Sequence, residues 1–551
     1  MTFSRFISIS IFSLIIQFSL LIVEPKPAAA DINTPSIIPQ PVEMIIGSGS
    51  FVIQPDTQIV AKDDAAAEAS KLVDALAPAT GFRLKRIDAI TQEDNLIILS
   101  LDSSLQDKLG DEGYSLGIKV NRVELKAFKP AGLFYGIQTL RQLLPPDIYR
   151  HAPVKGVAWK LPCASITDYP RFKWRGLLID PARHFIPKID MMRYIDAMAL
   201  HKFNRLQIHF TDGQGWRIEI KRYPLLTEIG SRWHNSMSQK KDLGRIYGGY
   251  YTQDDIRELV RYGAERYVTL VPEIEMPYHA GAAIVAYPKL GFDPVAFALL
   301  PIDQRREKAG NLLVPRPYSV EFMKNVLDEI IELFPSTHIH IGGDEAQADR
   351  WAKVPEMQKM MKQLNLTDVH QLHSWFIKQV DKHITSRGRK LVGWDEILQG
   401  GLAEGATVMS WRSMAGGLEA AQSGHDVVMT PTSHTYFDYP QSKTEPVSIG
   451  ASPVTLDKVY TFEPVPVELK DGLVKYILGG QGQLWGEYIP DEQHREYLTY
   501  PRACALIETV WSPQASRNYE QFINRLKSHL KRLDAAGIHY RRLDQPGVNQ
   551  N

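Results

Sequence analysis

The sequence predicts an α/β protein, a (β/α)8 barrel preceded by a small α+β domain. Eight short apolar runs follow one another from residue 174 onward, and helical patterns separate many of them. Alternating strands and helices are typical of a parallel barrel, and a span of roughly 350 residues fits one barrel with insertions. The eight predicted strands are Trp174–Asp180, Arg205–Phe210, Val268–Glu275, His338–Gly343, Lys390–Glu396, Ala406–Trp411, Asp426–Pro431 and Ile477–Trp485.

Apolar residues at helical spacing fill several of the intervals between these strands. The connection from Thr432 to Tyr476 has no clear helical pattern, so we expect an irregular loop there. Long loops at the carboxyl ends of barrel strands are common functional insertions. The predicted barrel helices are Lys188–His201, Gln253–Arg266, Val320–Leu333, His370–Arg387 and Gly416–Gln422.

The region before the barrel mixes short strands with two helices. Residues 115–128 alternate well enough for a hairpin around Asn121, and residues 131–144 predict an amphipathic helix. We assign residues 31–165 to the α+β domain and residues 166–551 to the barrel with a C-terminal helix. The α+β domain shows no group of catalytic residues, which favours a packing role.

The first 30 residues resemble a cleavable signal peptide. Arg5 precedes an apolar stretch from Phe6 to Val23, and three alanines ending at Ala30 form a small-residue cleavage site. An uncleaved membrane anchor is the alternative, since about 18 apolar residues could nearly span a bilayer. We expect export, to the periplasm or outside the cell, after cleavage near Ala30, with no membrane contact beyond this peptide.

Composition favours a neutral ligand. The 63 lysines and arginines balance 63 aspartates and glutamates, so no charge signature of a nucleic-acid partner is present. The two cysteines, Cys163 and Cys504, have no spacing that implies pairing, and we expect buried free thiols although export would permit a disulfide. Because no metal-binding motif occurs either, we expect no metal and no cofactor.

Residues 340–345 read His-Ile-Gly-Gly-Asp-Glu and place two adjacent acids at the end of the fourth predicted strand. On a continuing strand, neighbouring side chains would face opposite ways. Asp344 and Glu345 can therefore serve one site only if the backbone leaves extended geometry, which Gly342 and Gly343 permit. A surface turn is the alternative explanation for such a string.

Polar and aromatic residues also follow the other predicted strands. Each has an ordinary structural explanation by itself, because tryptophans usually pack in cores and arginine–aspartate pairs are usually structural. Their recurrence at strand ends is harder to explain that way, since the catalytic face of a barrel is built from those loops. They are Arg183, His184, Asp212, Glu275, His279, Trp394, Asp395, Glu396, Trp411, Tyr436, Asp438, Trp485 and Glu487.

These residues closely resemble the motifs of glycoside hydrolase family 20, the β-N-acetylhexosaminidases, over nearly the whole mature chain. The matching segments are Arg175–Gly176 with Ala182–Phe185, Thr211–Asp212 with Gln214–Arg217, His340–Glu345, Gly393–Glu396, Met409–Trp411, Tyr436 with Asp438, and Leu484–Trp485 with Glu487. The resemblance implies exo-acting removal of terminal, β-linked N-acetylglucosamine or N-acetylgalactosamine from a carbohydrate.

The resemblance also implies a role for each site residue. Glu345 would be the general acid and later the base, while Asp344 would hold the substrate's own 2-acetamido group as it attacks the anomeric carbon. Asp212 and His279 would support Glu345 through a polar relay. Trp394, Trp411 and Trp485 would wall the acetamide, Tyr436 would bind its carbonyl, and Arg183, Asp438 and Glu487 would bind sugar hydroxyls.

The chain departs from the family pattern at four positions. Gly213 replaces the second acid of a commonly doubled aspartate, Glu275 stands in place of aspartate, and Gln483 in place of asparagine. Tyr278 replaces the glycine before His279, which constrains the backbone there. Two other hypotheses stay open: a catalytically silent sugar-binding protein on the same fold, and an unrelated barrel enzyme such as an endo-acting chitinase.

Overall fold

The computed structural model describes residues 35–236, 241–443, 445 and 452–543. The predicted signal peptide and the predicted cleavage site at Ala30 lie outside the described residues. Within the described part of the chain, no helix combines the length and apolarity needed to cross a membrane. Both cysteines are buried and free, as the sequence predicts.

A seven-stranded sheet forms the N-terminal domain, and two helices, Ala66–Thr80 and Pro130–Leu143, pack against it and each other. The hairpin around Asn121 is confirmed, with strands that pair in antiparallel register. The last strand crosses the boundary predicted at residue 165, because its pairing continues to Asp168. In spatial order the strands are Glu43–Val52, Lys160–Asp168, Tyr114–Ile118, Arg122–Ala127, Leu96–Leu101, Gln58–Val60 and Lys85–Ile87.

Eight parallel strands close into a barrel in chain order, which confirms the predicted fold. We number them one to eight along the chain. The fifth strand ends two residues before the predicted end, since Asp395–Leu398 turns into a short 3-10 helix. The strands are Trp174–Ile179, Arg205–His209, Thr269–Met276, His338–Gly342, Lys390–Trp394, Thr407–Ser410, Val427–Met429 and Ile477–Gly482.

All five predicted barrel helices are present. The loop from Thr432 to Tyr476, expected to be irregular, contains the short helices Thr432–Thr435 and Leu456–Tyr460 and a 3-10 turn at Asp471–Tyr476. Pieces this short carry too few residues to give a periodic signal. The main barrel helices are Lys188–Leu200, Gln253–Ala264, Pro317–Leu333, Val369–Ser386, Ala415–Gln422, Arg502–Trp511 and the C-terminal Tyr519–Ala536.

The N-terminal domain contacts the amino-terminal end of the barrel, opposite the rim that carries the acids. Arg175, near the start of the first strand, forms an ion pair with Glu112 at 2.7 Å. Lys202, just before the second strand, pairs with Asp168 at 2.8 Å, and both side chains are completely buried. A buried ion pair holds the two surfaces in one register, and the packing role of the domain stays a prediction.

The barrel interior is partly polar. Gln481 donates to Gln207, which donates to Glu273 at 2.9 Å, and Trp174 donates its indole N–H to Gln481. Apolar residues such as Leu178 and Val271 fill the remaining space. Because each of these four polar side chains has a hydrogen-bond partner, the network holds them in fixed orientations inside the barrel.

Candidate active site

The loop after the fourth strand brings the two adjacent acids into one site. Gly342 and Gly343 have φ angles of 68° and 90°, and Glu345 has a φ of 49°, so the backbone leaves extended geometry as predicted. A Cβ atom on Gly342 would lie 1.9 Å from a carboxylate oxygen of Glu275, so a larger residue would have to displace this buried carboxyl group. This turn buries Asp344, whereas the side chain of Glu345 is 53% exposed.

His279 contacts both acids. Its Nε2 lies 3.2 Å from Oε2 of Glu345 and 3.6 Å from Oδ2 of Asp344. Its Nδ1 lies 3.2 Å from Oδ2 of Asp212, so a chain of groups runs from Asp212 through His279 to Glu345. The structure therefore brings together all four residues expected to be catalytic.

Charge in this relay favours a protonated imidazole. Burial alone would lower the pKa of His279, but Asp212 and the two acids raise it well above its ordinary value. Burial opposes ionisation of Asp212, yet Arg183 and His279 outweigh it and hold the pKa of that carboxyl well below its usual range. His279 therefore donates through both nitrogens at neutral pH.

Arg183 lies between the relay and the far side of the pocket. Its guanidinium contacts Asp180 at 3.0 Å, Asp212 at 2.7 Å and Glu487 at 3.8 Å. It also lies over the ring of Trp485, 5.0 Å from the centroid. Since Asp180 accepts the backbone N–H of both Arg183 and Gly486, the first and eighth loops are joined at this point.

The three tryptophans lie at different depths. Trp394 is 1% exposed and donates its indole N–H to Glu273 at 3.0 Å, so it forms the floor. Trp485 packs against it with ring centroids 5.7 Å apart and is partly exposed. Trp411 is partly exposed and stacks on Tyr436 at 6.2 Å with an interplanar angle of 27°.

Several acceptor atoms at this rim lack a protein partner. Both oxygens of Asp438 and Oδ1 of Asp344 are buried and accept no hydrogen bond of good geometry from the described residues, although the backbone N–H groups of Asp438 and Trp485 approach the Asp438 carboxyl. Burial, reinforced by Glu487, raises the pKa of Asp438 well above its ordinary value. Burial also raises the pKa of Glu487, against the opposing charge of Arg183. Unsatisfied buried polar atoms are costly, and ligand hydroxyl or amide groups would satisfy them.

Beneath the rim lies a polar layer of which the sequence analysis singled out Glu275 and His340 but not Glu273 or His209. Glu273 accepts from His209 at 2.8 Å and lies 3.0 Å from Nδ1 of His340. Burial would lower the pKa of His209, but Glu273 and other acids raise it to about 9. Burial, Asp344 and Glu273 raise the pKa of Glu275 well above its ordinary value. The sequence signal that could have predicted this layer is the presence of polar residues at inward-facing positions of otherwise apolar strands.

These clusters could in principle accept a metal ion. His209, Glu273 and Glu275 place ligand atoms within 4.8 Å of one another, and so do His279, Asp344 and Glu345. Metal ligation needs a neutral imidazole, whereas the raised pKa values of His209 and His279 favour the protonated form. The contacts of His209 with Glu273 and of His279 with Asp212 and Glu345 account for the positions of both histidines, and the absence of a metal stays a prediction.

The departures from the family pattern are accommodated locally. A side chain at Gly213 would lie 2.4 Å from Oδ1 of Asn311, which occupies that space. The positive φ of the third loop falls on His279, at 52°, and not on Tyr278. Tyr278 packs edge-on against His279 at 4.8 Å and accepts a hydrogen bond from Gln347. The relay is therefore compatible with tyrosine at this position.

Paired acids beside aromatic walls at the carboxyl rim of a parallel barrel suit the cleavage of glycosidic bonds. Residues 172–514 match the catalytic domain of glycosyl hydrolase family 20, and residues 34–169 match domain 2 of that family. The chain belongs to glycosyl hydrolase family 20.

Individual relatives agree with this assignment. A β-hexosaminidase of Porphyromonas gingivalis is 42% identical over 81% of this chain, although the match spans only 56% of that relative. The structure of an exo β-N-acetylglucosaminidase from Vibrio harveyi, in complex with N-acetylglucosamine, has a TM-score of 0.83 and 31% identity, covering 93% of this chain and 79% of that one. The β-N-acetylhexosaminidase of Streptomyces coelicolor A3(2) has a TM-score of 0.80 and 30% identity, with coverages of 94% and 99%.

Proposed function

We propose that this protein is an exo-acting β-N-acetylhexosaminidase that removes terminal, non-reducing β-linked N-acetylglucosamine or N-acetylgalactosamine. The observation that carries the proposal is the adjacent pair Asp344 and Glu345, one buried and one exposed, with His279 in contact with both. The two acids have different surroundings, as is required if one acts as a proton donor and the other as a charged carboxylate.

In the proposed mechanism, Glu345 protonates the departing glycosidic oxygen from its exposed position. The 2-acetamido oxygen of the substrate attacks the anomeric carbon, and Asp344 holds the amide N–H and offsets the positive charge of the oxazolinium ring. The free buried Oδ1 of Asp344 supports this role. Such an internal nucleophile is efficient, because well-oriented intramolecular reactions reach effective molarities of about 10⁵ to 10⁸ M.

The second half of the reaction uses the same residues in reverse. Glu345, now ionised, takes a proton from water as that water attacks the anomeric carbon and opens the ring. His279, fixed by Asp212, holds Glu345 in place through both steps. Two inversions at one carbon restore the β configuration, so the reaction retains it.

The remaining pocket residues would bind the sugar. Trp411 and Trp485 would enclose the acetamide over the floor made by Trp394, and Tyr436 would donate to the acetamide carbonyl. Arg183, Asp438 and Glu487 would bind ring hydroxyls, and the unsatisfied oxygens of Asp438 support this assignment. The exo mode is supported by the structural similarity to the Vibrio harveyi enzyme, which is an exo β-N-acetylglucosaminidase.

The proposal is tested with the purified protein and three substrates: the 4-nitrophenyl β-N-acetylglucosaminide, its galactosaminide, and a reducing-end-labelled chitooligosaccharide. We expect release of nitrophenol and stepwise loss of single sugars from the unlabelled end. Internal cleavage of the oligosaccharide would support the endo-acting alternative. Binding without turnover of any of the three would support the silent sugar-binding alternative.

Stereochemistry tests the mechanism separately. Proton NMR during the first minutes of hydrolysis should show the β anomer of the released sugar before mutarotation. If the α anomer appears first, the substrate-assisted mechanism is wrong for this chain, even though hydrolysis itself would stand.

Export completes the proposal. The alanine-flanked apolar segment before Asp31 supports cleavage near Ala30 and release of the mature chain into the periplasm or the medium. Expression of the full chain in a Gram-negative host, followed by N-terminal sequencing, should give a mature protein that begins near Asp31. A full-length chain retained in the membrane fraction would favour the anchor alternative.

A further inference from the structure

The motif after the fifth strand contains two acids that the proposed mechanism does not use. Asp395 is anchored by Arg412, whose Nε lies 2.6 Å from Oδ1, and by the hydroxyl of Ser410. Glu396 accepts the indole N–H of Trp411 at 2.9 Å. The turn that carries both acids is therefore fixed on one side and holds a pocket tryptophan on the other.

Trp411 needs such a partner because its surroundings restrain it less than those of the other two tryptophans. Trp394 is buried and its N–H is bonded inside the barrel, and Trp485 packs between Trp394 and His209. Trp411 is partly exposed and stacks on Tyr436 alone among the aromatic contacts of the described residues. The hydrogen bond to Glu396 fixes the direction of its ring.

We propose that Glu396 is a positioning residue that sets the Trp411 ring against the N-acyl group of the substrate and thereby selects the size of that group. This inference rests on the proposed function, because it assumes that Trp411 walls the acetamide. It adds a residue, Glu396, that affects acyl selectivity through Trp411 and not by contacting the substrate.

The protonation state of Glu396 is sensitive to pH near neutrality. Burial raises the pKa of Glu396 to about 7, with further contributions from Asp344 and Asp395 and with Trp411 and Arg412 opposing. These are the charged and polar groups that face it from the loops after the fourth, fifth and sixth strands. A carboxylate accepts a stronger hydrogen bond than a neutral carboxyl group, so Trp411 is held more firmly above pH 7.

The first experiment compares substrates that differ only in the acyl group: the 4-nitrophenyl N-acetyl and N-propionyl glucosaminides. The readout is the ratio of their kcat/KM values. Glu396→Ala should reduce the preference for N-acetyl about tenfold, because one methylene against a fixed wall is worth roughly 10- to 200-fold. Glu396→Gln keeps a neutral acceptor for the indole, like the protonated carboxyl group, so its preference should lie between that of Glu396→Ala and that of the wild-type enzyme above pH 7. Glu419→Gln, an exposed acid on Ala415–Gln422, is the control and should change nothing.

A double-mutant cycle tests whether Glu396 acts through Trp411. Trp411→Phe keeps an aromatic ring but removes the N–H, so it should lower the same preference. If the two residues act as one unit, the double variant Trp411→Phe with Glu396→Ala should be no less selective than either single variant. Fully additive effects on the ratio would overturn the proposal.

The pH dependence of the ratio gives an independent readout. Effects of pH on steps that both substrates share cancel in the ratio, so a remaining transition reports a group that acts on acyl fit. We expect the N-acetyl preference of the wild-type enzyme to rise with pH around a midpoint near 7 and to be flat in Glu396→Gln. A flat wild-type ratio would contradict the proposal.

Failure of this inference is distinguishable from failure of the proposed function. If the wild-type protein hydrolyses neither substrate, the function is wrong. If it hydrolyses both and Glu396→Ala keeps the wild-type ratio while losing only thermal stability, Glu396 is merely structural.

Discussion

Asp344 and Glu345 are neighbours in sequence, but their environments assign them different electrostatic tasks. Asp344 is buried and Glu345 is exposed. In the proposed mechanism, Asp344 would face the developing positive charge and Glu345 would face the leaving group. Asp344→Asn should lower turnover by about 10² to 10³, as expected when one preorganised contact to a developing charge is lost. The loss should persist with acidic leaving groups, because ring closure by the acetamide is still required.

Glu345→Gln should behave differently. It removes the proton donor, so its defect should shrink as the leaving group becomes acidic enough to depart unassisted. The measurement is kcat/KM for both variants across a series of aryl glycosides of decreasing leaving-group pKa. Parallel responses of the two variants would show that the proposed division of labour is mistaken.

Substitution of Trp485 tests whether this side chain lines the substrate pocket or packs in the hydrophobic core. It contacts Trp394, His209 and Arg183 but is partly exposed, unlike a packed core residue. Trp485→Ala should lower kcat/KM for N-acetyl substrates about 10- to 100-fold, in line with the loss of apolar fit. Trp159→Ala, at a buried position in the N-terminal domain, is the control and should cost about 3 to 5 kcal/mol of stability with normal activity in the folded fraction. The reverse pattern would assign Trp485 to packing.

The protonation of His279 depends on Asp212. In the wild type the pKa of His279 is raised well above its ordinary value, so the ring keeps its proton as the pH rises through neutrality. Asp212→Asn removes the main charge that opposes the effect of burial, so the ring should lose its proton at lower pH. NMR titration of ring-labelled histidine, assigned with His279→Gln, measures this shift. An unchanged titration would mean that Asp212 does not govern the relay.

At the scale of secondary-structure elements, the turn after the fourth strand is the most demanding piece of backbone. Gly342→Ala combines a φ of 68° with a collision against Glu275, so it should destabilise the fold and displace Asp344. Gly388→Ala is a matched control, since its φ is 72° but its Cβ would meet no atom within 4 Å. The control should cost about 1 to 2 kcal/mol from the left-handed backbone alone.

The measurements are thermal unfolding and kcat at a temperature where both variants remain folded. Gly342→Ala should lose both stability and turnover, whereas Gly388→Ala should lose stability only. Equal effects of the two substitutions would mean that the contact with Glu275 does not position the acid loop.

Whether the sequence predicts an element depends on how long and how buried that element is. Barrel strands are buried on both faces, so their apolar runs stand out, and the helices between them show helical periodicity. The short helices Thr432–Thr435 and Leu456–Tyr460 are stabilised by tertiary contacts and leave no periodic trace. The acid pair was visible because glycines precede it. The Glu273 layer and the bond from Trp411 to Glu396 join residues far apart in the chain, and no local pattern encodes such contacts.

At the scale of the whole molecule, the N-terminal domain and the barrel are joined by charges taken out of water. Asp168 accepts from Lys202, from the hydroxyl of Tyr114 and from the indole of Trp511, all in completely buried positions. Burial lowers the pKa of Lys202, but Asp168 opposes that shift. An ion pair in such a place fixes the relative position of two domains more than it adds stability, because desolvation offsets much of the attraction.

Removing one partner of this pair should therefore lower the stability of the fold by more than the net contribution of the intact pair. Lys202→Met should cost about 3 to 5 kcal/mol, because it leaves the Asp168 carboxylate buried without its counter-charge. Arg86→Ala, in the exposed pair with Asp88, is the control and should change stability by less than about 1 kcal/mol. Denaturant unfolding measures both. At a temperature where the variant is folded, Lys202→Met should keep the wild-type KM and kcat, because the pair lies at the amino-terminal end of the barrel, opposite the acid rim. A selective loss of kcat without a loss of stability would mean that the N-terminal domain shapes the active site directly.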